Sequence, residues 1–171
     1  MTERAEYTDE EWATVLAAPV AVISAIIGAS LGGPVGIMKE VAAAVKSFEQ
    51  AAETKRDNPL IVAVLLSLKE RFEAFGGGLD DPALQQMNIL ELGQDVDRAV
   101  EACRVARELL EQKAPPDLSA ELRTWLLEIG VNVAHAAVEG GFFGMGGERV
   151  NQAERDMLVR LAEALDVPSP L

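Results

Sequence analysis

Residues 12–38, WATVLAAPVAVISAIIGASLGGPVGIM, contain no charged side chain, and how this stretch is read decides the fold. It is either a membrane span or a helix enclosed by other helices. Pro19 and the Gly32-Gly33-Pro34 break limit an unbroken helix to Pro19–Leu31, about 20 Å at roughly 1.5 Å per residue, whereas a bilayer core needs about 30 Å. The flanking Glu10, Glu11, Lys39 and Glu40 show no basic bias of the kind that orients a span. A helix apolar on every side then belongs at the centre of a globular bundle, and a membrane span is not expected.

The remainder of the chain supports that reading. Its 171 residues are 49% hydrophobic, enough to bury about 70% of the unfolded surface around one core. Alanine occurs 26 times and the β-branched residues follow helical spacing, so the class is all-α. Helix starts are marked by Thr8 with Glu11, by Asn58-Pro59 and Asp81-Pro82, and by Ser119 and Asn151, each a cap residue placed for a first turn. Glycine runs near 32, 76 and 140 and Pro115-Pro116 mark stops. Helices are expected over about 9–17, 19–30, 34–56, 59–75, 82–113, 119–139 and 152–165.

The net charge of −13 repels phosphate backbones, and no basic cluster offsets it, so nucleic acid is not an expected partner. The single cysteine, Cys103, forms no intrachain disulfide, and MTERAEYTDEEW lacks a basic n-region, which together imply a cytoplasmic address. Cys103 falls on the apolar face of an amphipathic helix with Ala99, Ala106 and Leu110, where a thiol is inert.

A pattern recurs. Gly32-Gly33-Pro34-Val35-Gly36 followed by Glu40, and Gly140-Gly141-Phe142-Phe143-Gly144 followed by Glu148, both read GGxxGxxxE. Each follows an apolar helix, Pro19–Leu31 or Trp125–Val138. The expected architecture is a single domain over 1–171, a multihelical bundle with these two helices buried side by side. Half-repeats 9–75 and 82–167 would be helix/Gly-loop/helix units related by a pseudo-two-fold axis.

The run AAVEGGFFGMGGERVNQAERDMLVRLAEAL, residues 136–165, resembles the TerB-like (tellurite-resistance) superfamily. There a small-residue helix ends in an Ala-x-Asp-Gly turn, followed by a hydrophobic residue and a Glu. EEWATVLAAPVAVISAIIGASLGGPVGIMKE, residues 10–40, resembles the first half of an uncharacterised bacterial family of that fold. Together they cover about a third of the chain. The resemblance implies a duplicated helical bundle around two buried helices. It also implies a role in stress and tellurite resistance as a metal-responsive or membrane-associated interaction module rather than an enzyme. The chain has Glu139 where the pattern has Asp, an insertion before Val150 and Glu154, and Ser30 where the first half would carry an acidic residue.

Three constellations carry chemistry. Glu128, Asn132, His135 and Glu139 form one stripe on helix 119–139, and His135 with Glu139 suits Zn, Mn or Fe. The Glu-x-x-His pair of diiron bundles is missing, however, because Asn132 precedes His135 by three. Glu139, Glu148 and Glu154 supply oxygens for a hard cation such as Ca²⁺ or Mg²⁺, while Glu154 also has an adequate duty closing a capping box on Asn151. The loop Gly140–Gly147 lacks the lysine of a phosphate-binding loop. Its Phe142, Phe143 and Met145 are read instead as core anchors or as a contact for a partner.

Three functions compete. The first is a non-catalytic cytoplasmic TerB-like module, without cofactor, acting in a stress response through a protein partner or as a homodimer. The second is a divalent metal ion binder using Glu139, Glu148, Glu154 or His135. The third is a small-molecule enzyme built on the polar stripe, for which a single histidine and the absence of a nucleophile elbow leave no hydrolase triad.

Overall fold

A computed structural model describes residues 3–30, 33–74, 96–136 and 150–170. Among them are six α-helices and no strand: α1 (Asp9–Ala29), α2 (Gly33–Thr54), α3 (Pro59–Ala74), α4 (Val96–Lys113), α5 (Pro116–Ala136) and α6 (Gln152–Leu165). The chain is a multihelical bundle. A 3-10 turn, Glu3–Glu6, precedes α1.

Local chemistry sets most of the helix ends. At α1 the Thr8 hydroxyl accepts from the Glu11 N–H at 3.2 Å, while the Glu11 carboxylate accepts from the Thr8 N–H at 2.7 Å. Asn58 Oδ1 accepts from the N–H groups of Leu60 and Ile61, and Asn151 with Glu154 closes a second reciprocal box at α6. Each cap satisfies donors that the first turn leaves orphaned. Ser119 is different. The helix starts earlier, at Pro116, a residue preset for a first turn, so Ser119 lies inside α5, buried, and its hydroxyl has no partner among the described residues.

The division expected at Pro19 is absent. α1 runs unbroken for 21 residues with Pro19 buried in its interior. It is therefore about 31 Å long at roughly 1.5 Å per residue, enough by length and composition to cross a membrane. An interior proline costs about 3 kcal/mol. Burial of Trp12, Val15, Leu16, Val22, Ile26 and Ile27 offsets this many times over, at about 1.5–3 kcal/mol for each large side chain. Within the fold, 67% of the most apolar window of α1 is buried; length does not separate it from a membrane span, and what encloses it is the packing of α4, α5 and α6.

A close approach occurs at Gly130 of α5. A Cβ there would stand 3.1 Å from Val22 Cγ1 of α1 and 3.4 Å from Leu158 Cδ2 of α6, so three helices meet where one side chain is missing. α5 buries Leu122, Leu126, Ile129 and Val133 in the core, and Trp125 against Phe48 of α2. Unlike α1 it keeps an exposed face, carrying Glu121, Thr124, Glu128, Asn132 and His135. α4 is amphipathic as its sequence dictates: Ala99, Cys103, Ala106 and Leu110 are buried, and Asp97, Glu101, Arg104 and Glu108 are exposed.

Candidate functional site

Two carboxylates are buried in this bundle. Glu40, on α2, is 0% exposed and Glu154, in the first turn of α6, is 1% exposed. Helix geometry put them there. α2 turns its Ala44, Ser47 and Ala51 face inward, and Glu40 lies one turn before Ala44 on that face. Glu154 is drawn in by its capping box, in which Oε2 accepts the Asn151 N–H at 2.8 Å and its own N–H donates to Asn151 Oδ1 at 2.8 Å.

The pair is under-satisfied. Among the described residues, neither oxygen of Glu40 and not Oε1 of Glu154 has a hydrogen-bond partner. Buried polar groups are ordinarily paired, and charged ones almost without exception. Ser30, which caps the C-terminus of α1 with an extended backbone, brings its hydroxyl to both carboxyls and favours their charged forms, without satisfying those three oxygens.

The electrostatics follow. Burial pushes the Glu40 carboxyl above its ordinary value of 4.5, the Ser30 hydroxyl counteracts this, and the charge of Glu154 pushes it further up. Burial likewise raises Glu154; its hydrogen bond from the Asn151 backbone, the Ser30 hydroxyl and the charge of His135 oppose that rise. Among the described residues no lysine or arginine forms an ion pair with either carboxylate. The two carboxyls thus feel each other's charge and the cost of dry surroundings, and both are influenced by the Ser30 hydroxyl, so a proton or a cation would relieve their repulsion.

Of the residues expected from sequence, Glu154 is in this corner. His135 is exposed on α5, its Nδ1 2.8 Å from the Val131 carbonyl, and reaches Glu154 through its field. No group of three or more His, Cys, Asp or Glu side chains with metal-holding geometry occurs among the described residues. Glu139, Glu148, Phe142, Phe143 and Met145 lie outside the described residues. The polar stripe of α5 is engaged in surface contacts: Glu128 pairs with Lys55 at 3.5 Å and Asn132 donates to Ser47 Oγ at 3.0 Å. Cys103 is fully buried, its thiol pushed up to about 12 by that burial.

Sequence reasoning missed Glu40 and Ser30 as site residues. The signal was present: Glu40 ends the first GGxxGxxxE element, and Ser30 stands where the resembled pattern would carry an acid. Glu40 reads there as a polar flank of an apolar stretch, and only helix packing sets it against Glu154. No family model, no curated protein and no solved structure matches the chain.

Proposed function

We propose that the protein is a non-catalytic helical module that takes up a divalent cation between Glu40 and Glu154. The observation that carries this reading is the set of three unpartnered carboxylate oxygens on two different helices, beside the Ser30 hydroxyl. Oxygen ligands of this kind suit Mn²⁺, Mg²⁺ or Ca²⁺. A cation would neutralise the pair and tie the start of α6 to α2 and to the end of α1. Glu139 and Glu148, which flank the glycine loop in the sequence, are proposed as further carboxylates for the same ion.

The enclosure of the pair supports binding over catalysis, since a substrate would have to reach two side chains at most 1% exposed. In this reading the protein is a TerB-like, cytoplasmic, metal-responsive component of a stress response that acts through a protein partner or a second copy of itself. Burial of α1 among its neighbours favours that over a membrane span.

The experiment is calorimetric titration of chelator-treated protein with Mn²⁺ and Ca²⁺, with melting temperature measured alongside. One ion should bind per chain and raise the melting temperature, because a ligand of the native state stabilises it. Glu40→Gln and Glu154→Gln should each abolish that rise. Equal binding by parent and both variants, or no binding by the parent, overturns the proposal and leaves the corner as a protonated carboxyl pair.

A further inference from the structure

The face of α2 turned away from the bundle is apolar. Val35 is 70% exposed, Met38 75% and Val45 39%, and Ala42 is exposed between them. The other large apolar side chains exposed among the described residues, Leu66, Val105 and Val159, stand one to a helix, which is ordinary for a protein surface. Only α2 gathers several.

Their spacing is ordered. Positions 35, 38, 42 and 45 lie three, four and three residues apart, the intervals that hold side chains on one seam facing a single other helix. The seam is about 15 Å long at roughly 1.5 Å per residue, and Glu49 ends it. Ala42 in its middle is small enough for a second helix to come close, and Met38 is an unbranched side chain that adapts to what it meets.

One edge of the seam is basic. Lys39 and Lys46 follow Met38 and Val45 directly, on the flank where paired helices carry the charges that select a partner. Basic side chains elsewhere, among them Lys55, Arg107, Lys113 and Arg160, are paired with carboxylates. Lys39 and Lys46 form no ion pair among the described residues. Glu40, next to Lys39 in the chain, is buried on the other side of α2 and neutralises neither of them.

We propose that the face formed by Val35, Met38, Ala42 and Val45 is a docking site for an amphipathic helix of a partner protein whose apolar stripe is flanked by Asp or Glu. Apolar side chains would fill the seam and the acidic flank would pair with Lys39 and Lys46, a known mode of helix recognition. A second copy of α2 fits less well, because antiparallel pairing brings the same lysine edges together. An anionic bilayer fits less well too, since it repels a chain of net charge −13 and is held by clusters of about 4–8 basic residues rather than two. The inference gives a surface to the protein contact of the function proposed above, but it does not depend on the cation at Glu40 and Glu154.

The test is fluorescence anisotropy of a labelled synthetic peptide of three heptads, Leu at both seam positions and Glu on both flanks, titrated with the full chain in the presence of chelator. It should bind at least about fivefold more tightly than the same peptide with Lys on the flanks, the effect expected of two exposed ion pairs. Lys39→Glu/Lys46→Glu should reverse that preference, and Met38→Ser, at an exposed position, should weaken binding of the Glu-flanked peptide about tenfold. No binding at about millimolar protein, equal affinity for the two peptides, a preference that charge reversal leaves unchanged, or binding unaffected by Met38→Ser overturns the proposal. Association with phosphatidylserine vesicles that Met38→Ser abolishes assigns the face to lipid, and a dimer of the parent that Met38→Ser dissolves assigns it to a second copy; either result overturns it as well. Because chelator is present throughout, failure of the cation titration leaves this outcome standing, and failure here leaves the cation site standing.

Discussion

Two interior regions of this bundle are equally dry and chemically opposite. Where α1, α5 and α6 meet at Gly130, Val22, Ile26 and Leu158 leave no polar atom to satisfy. Where α1 ends beside α2 and α6, Glu40 and Glu154 are as deeply buried, yet three of their four carboxylate oxygens lack partners among the described residues. The first region gains stability from each atom it excludes from water. The second gives stability up, since an unpaired charge in such surroundings is among the costliest groups a protein can bury. A fold that keeps both uses the first to hold the second in place, and the contrast marks the carboxylates as the place to look for function.

The sharpest way to break this contrast is to put a charge in the dry region. Ile26→Asp should destabilise the protein by about 3 kcal/mol or more, read as a fall in thermal midpoint and denaturant midpoint. Parent-like unfolding would mean that the α1 core does not anchor the fold. Next in size is Gly130→Val, which forces a branched side chain against Val22 and Leu158 and should cost about 1–3 kcal/mol by overpacking. Chemical denaturation of the two proteins side by side measures it.

The carboxylate corner should respond with the opposite sign. With chelator present at pH 8, Glu40→Gln should raise stability by on the order of 1 kcal/mol, the usual scale of one substitution, because it removes a buried charge. The pH dependence follows from the same shifts. Both carboxyls titrate above 4.5 in the folded state, so their contribution is complete below pH 4.5 and is lost as pH rises through the folded values. Metal-free parent should therefore lose the stability contributed by this pair as pH rises above 4.5, and Glu40→Gln should shrink that loss. Glu11 acts in another window: its pKa is lowered, by Lys113 first, so its contribution is present above 4.5 and fades as pH falls below it. Parent and Glu40→Gln profiles of the same shape from pH 4.5 to 8 would remove the electrostatic contrast between the two regions.

Smallest of all is Ser119→Ala. If Ser119 capped a helix, the change would cost about 1 kcal/mol. Its hydroxyl is instead buried without a partner, so urea denaturation should show a change within about 0.5 kcal/mol, or a slight gain.

Sequence alone determined what short-range physics controls. Thr8, Asn58 and Asn151 set helix starts because a cap is made with residues two or three positions away. The apolar face of α4 follows from a 3.6-residue period that needs no knowledge of neighbours. The apolar part of the charge-free stretch 12–38, from Trp12 to Ile27, announced an enclosed helix, whereas Val35 and Met38 near its end are exposed on α2. Tertiary structure alone decided three things. Pro19 interrupts nothing because the burial of α1 outweighs the lost hydrogen bond, a balance that depends on what surrounds the helix. Ser119 is no cap because the chain enters α5 at Pro116. Glu40 and Glu154, separated by more than a hundred residues, become partners only when α2 and α6 pack against the end of α1, and a local reading of either one finds no more than a polar flank or a capping residue.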